Sequence, residues 1–165
     1  MKRILLISLL IFWKVSLFGQ ETLEEVLNKY NHKKVPYIAV AELKNLQQKN
    51  KVVILDSREL VEFKVSHIEG AILVGYNHFR LSSLPDSIDK KTPIVVYCTL
   101  GVRSEVIANQ LVENGYTDVK NLYGGISEWK NKDYIVIDSI QRMTENIHVY
   151  SKKWGKWLTK GNPIF

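Results

Sequence analysis

Residues 94–104, with the sequence IVVYCTLGVRS, carry the strongest structural signal in this chain. The first four, Ile94 to Tyr97, form an apolar run that is too short for a helix and typical of a buried strand. Cys98 follows directly, and an amphipathic helix is predicted from Ser104 to Asn114. The segment therefore predicts a strand, a short loop that begins with a cysteine, and a helix.

The rest of the chain alternates between short apolar runs and amphipathic segments in the same way. A short extended piece is predicted at 38–40, and further strands at 52–55, 71–74 and 119–122. Further helices are predicted after a capping box at Thr22–Glu25, at 41–49, at 57–64 and after Gly124-Gly125. The helix at 104–114 is predicted to bury Val106, Ile107, Leu111 and Val112. Because strands that alternate with helices form parallel sheets covered on both faces, the pattern predicts an α/β fold.

The loop after the strand at 94–97 has the features of an anion-binding site. Ligands of α/β sheets bind at the carboxyl ends of strands, and helix N-termini present unpaired N–H groups. A loop between the two can aim several N–H groups at Cys98, which would lower its pKa below the free value of about 8.5. The same groups would hold the terminal sulfur of a persulfide. Gly101 permits the necessary backbone curl, and Arg103 adds a fixed positive charge.

The spacing within this loop separates two chemistries. A cysteine-based phosphatase loop needs an arginine six residues after the cysteine, whereas here Arg103 comes five residues after Cys98 and Ser104 comes six after it. The tighter loop suits a single bound sulfur better than a phosphoryl group. A phosphatase or arsenate reductase is therefore the disfavoured alternative. A buried structural cysteine is the other alternative, since free cysteines are often buried.

Three motifs occur in order across about residues 38–135. The first comprises Leu55-Asp-Ser-Arg-Glu59, Glu62-Phe63 and His67-Ile-Glu-Gly-Ala71. The second is the loop 98–104, and the third is Leu122-Tyr-Gly-Gly125 followed by Trp129. In these motifs the chain resembles the rhodanese family of sulfurtransferases. It departs from the family pattern at Ser57 and Ser66, both outside the loop.

The resemblance implies a rhodanese-like fold, a five-stranded, mostly parallel sheet with helices on both faces. It also implies that Cys98 takes sulfane sulfur from a donor such as thiosulfate and passes it to a thiol or cyanide. The substrate-binding residues are then Thr99, Leu100, Gly101, Val102, Arg103 and Ser104. The alternative is a binding or sulfur-delivery module that receives its persulfide from a protein partner and turns over little thiosulfate.

Other residues near the motifs are expected to support the site. Asp56 and Arg58 follow a strand, and we expect an ion pair that backs the pocket and is more structural than catalytic. Arg103 either binds the sulfite end of thiosulfate or pairs with a nearby acid. His67 is expected to bond to backbone, because an ionised thiolate needs no general base. Trp129 is expected in the core.

Composition excludes several classes of protein. The 165 residues are 45% hydrophobic and 24% charged, which is ordinary for one globular domain. The single cysteine cannot form an internal disulfide, and the four histidines lack the spacing of a metal site. We therefore expect no metal ion and no cofactor.

The N-terminus has the layout of a secretory signal peptide. Lys2 and Arg3 precede an apolar run of about ten residues, which is shorter than the roughly 20 of a spanning helix. Cleavage is expected near Gly19, so that residues 1–19 are removed and the protein is exported, to the periplasm if the source has two membranes. An uncleaved membrane anchor is the alternative. Removing three basic residues and no acidic one lowers the net charge from +6 to +3.

The remaining chain divides into a helical segment at 20–36, a rhodanese-like domain at 37–136 and a basic, aromatic extension at 137–165. In the extension, Trp154, Trp157 and Leu158 are expected to pack back onto the domain while the lysines stay in water. Binding to a membrane surface or nucleic acid is the less favoured interpretation. The expected partners are a small sulfur compound and a thiol or protein acceptor. No nucleic acid is expected, and the mature protein is not expected to be embedded in a membrane.

Overall fold

In the computed structural model of the protein, which describes residues 21–32 and 34–165, five short strands form one parallel sheet. The strands are β1 (Tyr37–Ile38), β2 (Val53–Asp56), β3 (Ile72–Leu73), β4 (Ile94–Tyr97) and β5 (Val119–Leu122). Their order in the sheet is β1-β5-β4-β2-β3, and each neighbouring pair is parallel. The predicted α/β fold is confirmed, and the strand that leads to the cysteine lies in the middle.

Strand β4 lies in the middle of the sheet, where both of its faces are buried, and its four side chains are apolar or aromatic. Val95 and Tyr97 join one buried cluster, while Ile94 and Val96 join another. Successive side chains of a strand point to opposite faces, so these two clusters lie on the two sides of the sheet. A strand buried on both faces shows a continuous apolar run, which is the signal seen at 94–97.

In the described part of the chain, six α-helices accompany the sheet and the C-terminal extension. They are α1 (Leu23–Tyr30), α2 (Val40–Gln48), α3 (Leu60–Val65), α4 (Arg103–Glu113), α5 (Gly125–Asn131) and α6 (Lys152–Gly155), with a 3₁₀ turn at Leu81–Ser83. The predicted capping box at Thr22 and Glu25 is present at the start of α1. No described helix reaches the length and apolarity that crossing a bilayer requires.

Two details of the helix predictions were wrong. Helix α3 begins at Leu60 and not at residue 57, because Glu59 occupies the N-cap position with an extended backbone and forms a capping box. In α4, Val106 and Val112 are 42% and 45% exposed, while Ile107 and Leu111 are buried. The buried stripe follows the i, i+4 rows that face the sheet, and the two valines lie one position outside it.

The last 29 residues pack onto the same core. Strands β6 (Val136–Ile137) and β7 (Met143–Thr144) form an antiparallel pair, and β8 (Asn146–His148) pairs with β9 (Asn162–Ile164) in parallel. Ile147 and Val149 are fully buried in the cluster that contains Trp129, and Leu158 packs against it. The expected return of this segment to the domain is therefore observed. The predicted signal peptide, at 1–19, lies outside the described residues.

Candidate active site

Cys98 lies at the carboxyl end of β4, at the base of a cavity of about 210 Å³. Cys98 is only 2% exposed and is one of the residues that line the cavity. The walls come from the loop after β4, from the segments after β2 and β3, and from the C-terminal extension. The lining residues are Glu59, Tyr76, Asn77, Thr99, Leu100, Val102, Arg103, Tyr150 and Trp154.

The loop after Cys98 is held by its carbonyl groups. The carbonyl oxygens of Cys98 and Thr99 accept hydrogen bonds from the N–H groups of Ile126 (2.9 Å) and Ser127 (3.2 Å) at the start of α5. The carbonyl oxygen of Gly101 accepts two more, at 2.8 Å each, from the side-chain amides of Asn31 and Asn121. Because these carbonyls are engaged away from the sulfur, the loop can turn its N–H groups toward it.

Two glycines allow this arrangement. Gly101 has a φ of +112°, a backbone conformation that other residues rarely adopt, and its N–H donates to the Cys98 sulfur at 3.2 Å. Gly125, with a φ of +55°, lies directly behind the loop: a Cβ atom there would sit 2.3 Å from the Cys98 carbonyl oxygen. The Gly124-Gly125 motif therefore lets α5 approach the cysteine loop closely enough to bind its carbonyls.

The surroundings of Cys98 favour the thiolate. Burial raises the pKa of the thiol, but the charge of Arg103, the Ser104 hydroxyl and N–H, and the Gly101 N–H together outweigh it, so the pKa lies below its ordinary value. The Ser104 hydroxyl lies 3.5 Å from the sulfur and 2.7 Å from the side-chain oxygen of Asn121. Since a hydroxyl has one proton, the shorter bond to Asn121 takes it, and we attribute the stabilisation of the thiolate to Arg103 and the backbone.

Arg103, at the start of α4, pairs with an acid. It donates two hydrogen bonds of 2.7 Å each to the carboxylate of Glu62 and a third, of 3.1 Å, to the Thr99 hydroxyl. Burial raises the pKa of Glu62, but the Arg103 hydrogen bonds and charge lower it below its usual range. The Arg103 guanidinium also lies 4.8 Å from the centroid of the Tyr150 ring. The pairing with an acid expected for Arg103 is therefore present, and binding of the sulfite end of thiosulfate stays a prediction.

Asp56 and Arg58 form the expected ion pair, with both side chains fully buried and 2.7 Å between Nη2 and Oδ2. Tyr97 donates a 2.6 Å hydrogen bond to the same carboxylate, and Arg58 donates another to the carbonyl oxygen of Ser66. Neither charged residue lines the cavity. The pair therefore fastens the segment after β2 beneath the site and does not reach a substrate.

The histidines near the site are neutral. His67 Nδ1 lies 3.1 Å from the Phe63 carbonyl oxygen, as expected of a structural histidine, and burial lowers its pKa. His148 Nδ1 approaches Glu62 to 3.9 Å, but it accepts a hydrogen bond from the Tyr150 N–H, and burial lowers its pKa as well. The approach to Glu62 is therefore not an ion pair at neutral pH. Within 21–32 and 34–165, no cluster of three or more metal-ligating side chains occurs.

The sequence pointed to Cys98 and the loop that follows it, but it did not predict much of the cavity wall. The loop residues Thr99, Leu100, Val102 and Arg103 line the cavity, and Gly101 and Ser104 lie behind the sulfur. The lining residues missed are Glu59, Tyr76, Asn77, Tyr150 and Trp154, and the pairing of Glu62 with Arg103 was missed as well. Tyr150 and Trp154 had a signal in the sequence as part of the basic, aromatic extension, and Glu59 and Glu62 as members of the first motif.

The comparison with known families agrees with this geometry. The rhodanese-like domain family matches residues 39–132. Because this match spans more than half of the chain, the protein belongs to the rhodanese-like domain family.

Curated relatives carry the name tRNA uridine(34) hydroxylase. The Enterococcus faecalis protein is 33% identical over 146 residues, which cover 77% of this chain and 44% of that protein. A Staphylococcus aureus protein is 33% identical over 135 residues, covering 70% and 40%. The chain thus spans less than half the length of these relatives.

Solved structures share the fold. A thiosulfate sulfurtransferase from Pseudomonas aeruginosa superposes with a TM-score of 0.59 at 24% identity, over 82% of this chain and 25% of that chain. A Bacillus halodurans protein superposes with a TM-score of 0.57 at 22% identity, over 73% of this chain and 89% of that chain. At this identity the likeness concerns the fold alone.

Proposed function

We propose that this protein is a sulfurtransferase that carries sulfane sulfur as a persulfide on Cys98. The observation that carries the proposal is the Cys98 sulfur itself, which sits at the base of a cavity, receives the Gly101 N–H and has a lowered pKa. The thiolate is the reactive form of cysteine toward sulfur. A buried thiolate that a small molecule can reach is suited to nucleophilic attack on a donor.

The reaction is a double displacement. The Cys98 thiolate attacks the outer sulfur of thiosulfate, the S–S bond of the donor breaks, and sulfite leaves with the bonding electron pair. The product, Cys98–S–S⁻, keeps one negative charge. Cyanide or a thiolate then attacks the outer sulfur, and Cys98 leaves as a thiolate. No step needs a general base, which agrees with the neutral, structural state of His67.

The loop also supports binding of the intermediate. After transfer, the charge moves from the Cys98 sulfur to the added sulfur, one bond further into the cavity. Val102 and Leu100 line this space, and the Arg103 charge lies beside it. The loop has one residue fewer between cysteine and arginine than a phosphatase loop requires, which disfavours a phosphoryl group in the same place.

The proposal is tested by loading the protein with thiosulfate and measuring its intact mass. We expect Cys98 to gain the mass of one sulfur atom, and cyanide to remove it as thiocyanate. Cys98→Ala and Cys98→Ser, with circular dichroism as the folding control, should neither gain sulfur nor form thiocyanate above background. Equal thiocyanate formation by the wild type and both variants would exclude the proposal.

The curated relatives favour a second candidate function, a part in the hydroxylation of tRNA uridine. Sequence identity of 33% over 146 residues is the observation that supports it. Incubating the protein with tRNA in air-equilibrated buffer, so that molecular oxygen is present as the oxidant, and quantifying hydroxylated uridine by mass spectrometry tests this candidate. An increase that Cys98→Ala abolishes would favour it over thiosulfate chemistry.

We further propose that the protein is exported, on the basis of the signal-peptide pattern at 1–19. Export would disfavour the tRNA candidate, because tRNA is found inside the cell, whereas sulfur transfer through Cys98 requires no particular location. N-terminal sequencing of the mature protein and fractionation of the source cells test this directly. A chain recovered from the cytoplasm with an intact Met1 would exclude export.

A further inference from the structure

Aromatic side chains from outside the family-matched region form one wall of the Cys98 cavity. Tyr150 and Trp154 both line it, and both follow residue 132, where the family match ends. Tyr30, at the end of α1, packs edge-to-face against Trp154 with ring centroids 5.7 Å apart. Lys156 and Glu21 form an ion pair of 3.1 Å between the same two segments. The segments before and after the family-matched region thus contact each other, and these contacts hold the aromatic wall in place.

The charges of the cavity disfavour a doubly charged donor. Among the described lining residues, Arg103 is the only cation, and its guanidinium is already paired with the Glu62 carboxylate through two hydrogen bonds. Glu59 adds a negative charge to the lining, and its carboxylate accepts hydrogen bonds from the N–H groups of Tyr76 and Asn77. Lys153 lies near Trp154, with its ammonium 5.5 Å from that ring centroid, but it does not line the cavity. A buried charge without a free counter-charge is costly, and thiosulfate brings two.

The space beside the sulfur is large enough for a ring. A cavity of about 150 Å³ with apolar walls binds benzene in a protein interior, and this cavity measures about 210 Å³. Tyr150 and Trp154 place two aromatic rings in its lining, and aromatic pairs gain energy beyond the area that they bury. The cavity therefore offers an apolar group contact with aromatic rings, whereas the one cation among the described lining residues is already paired when an inorganic dianion enters.

We propose that the donor is a singly charged organic compound whose sulfane sulfur is attached to an apolar, best an aromatic, group, and that Tyr150 and Trp154 determine this specificity. The inference rests on the proposed function of Cys98. For an aryl thiosulfonate, Ar–SO₂–S⁻, the Cys98 thiolate attacks the outer sulfur and the S–S bond breaks. An aryl sulfinate, Ar–SO₂⁻, leaves with the electron pair, and Cys98–S–S⁻ forms, so atoms and charges balance without an oxidant.

The experiment compares three donors by kcat/KM for persulfide formation: benzenethiosulfonate, methanethiosulfonate and thiosulfate. We expect the wild type to prefer benzenethiosulfonate over methanethiosulfonate by roughly three- to tenfold, the range for one aromatic contact. Trp154→Ala should reduce this ratio toward one, and Trp154→Phe should restore most of it. Phe165→Ala, an aromatic residue of the same segment that does not line the cavity, is the control and should keep the wild-type ratio.

Two results would overturn the inference. One is a wild-type enzyme that loads fastest with thiosulfate. The other is a kcat/KM ratio of benzenethiosulfonate to methanethiosulfonate that Trp154→Ala and Tyr150→Leu both leave unchanged. The variants are first checked for folding by circular dichroism. Because the comparison is a ratio within each variant, a partial loss of folded protein cancels.

Binding to Cys98→Ala, measured by isothermal titration calorimetry, separates this inference from the proposed function. If Cys98 gains sulfur from no donor while the Cys98→Ala protein binds benzenethiosulfonate more tightly than thiosulfate, the proposed function fails and the specificity of the cavity stands. If sulfur is transferred but binding shows no preference, the specificity fails and the transfer function stands.

Discussion

Arg103 donates two hydrogen bonds of 2.7 Å each to the carboxylate of Glu62, across 41 positions of the chain. The pair joins the first residue of α4 to the middle of α3, and the Glu62 side chain is only 2% exposed. The pair places a positive charge beside Cys98, and the Glu62 carboxylate offsets part of that charge for a second anion in the cavity. The carboxylate thus decides how much of that charge a substrate meets.

Glu62→Gln should shift donor preference toward thiosulfate. Without the carboxylate, the Arg103 charge becomes available to the dianion, and two charges 4 Å apart gain about 1 kcal/mol even in water. We expect the kcat/KM ratio of thiosulfate to methanethiosulfonate to rise about fivefold or more. Glu59→Gln removes an equal charge from the cavity lining without releasing Arg103. If both variants raise the ratio equally, the effect comes from net charge and not from the pair.

The lowered pKa of Cys98 predicts the pH dependence of sulfur loading. Only the thiolate attacks, so the rate should rise with pH through the pKa and level off above it, with a midpoint below the ordinary value of a free thiol. Arg103→Gln should move the midpoint upward, because it removes the positive charge that favours the thiolate. Rates of alkylation by iodoacetamide across pH measure it. Arg142→Gln, at an exposed arginine, is the control, and an equal shift in that variant would contradict a local effect.

Gly125→Ala should disrupt the cysteine loop. The new methyl group would meet the Cys98 carbonyl oxygen at 2.3 Å, and the φ of +55° adds strain. We expect a loss of roughly 2–6 kcal/mol in the free energy of unfolding, from overpacking and backbone strain together, and sulfur loading reduced at least about tenfold. Gly115→Ala is the matched control, since Gly115 has a φ of +88° but a methyl group there would meet nothing within 4 Å. Urea unfolding and intact-mass kinetics measure both, and equal losses would show that contact with the loop is unimportant.

The buried pair of Asp56 and Arg58 should dominate stability beneath the site. Arg58→Met leaves the Asp56 carboxylate without its counter-charge, and we expect a loss of about 3–5 kcal/mol in the free energy of unfolding. Arg142→Met makes the same change in an exposed pair with Asp138, where the arginine side chain is 73% exposed, and should cost much less. Urea denaturation compares the two. Similar losses in the two variants would mean that the buried pair contributes no more to the free energy of unfolding than a surface pair.

The residues that the sequence predicted best are those whose role depends on neighbours in the chain. Strand β4 appears as four apolar residues, and Cys98, Gly101 and Arg103 follow within one loop, so their relation is local. The capping box of α1 was equally clear. The two predictions that failed, the start of α3 and the burial of Val106 and Val112, concern helix boundaries and the edge of a helix face. Both depend on how the helix meets the sheet.

The sequence by itself determined the α/β fold and the position of the reactive cysteine, because both follow from short-range periodicity and from one contiguous loop. Only the tertiary structure decided what Cys98 faces. Glu62 as the partner of Arg103, and Tyr150 and Trp154 as the cavity wall, are contacts between distant parts of the chain. No local pattern encodes such contacts, since they arise from the way the extension folds back over the carboxyl edge of the sheet.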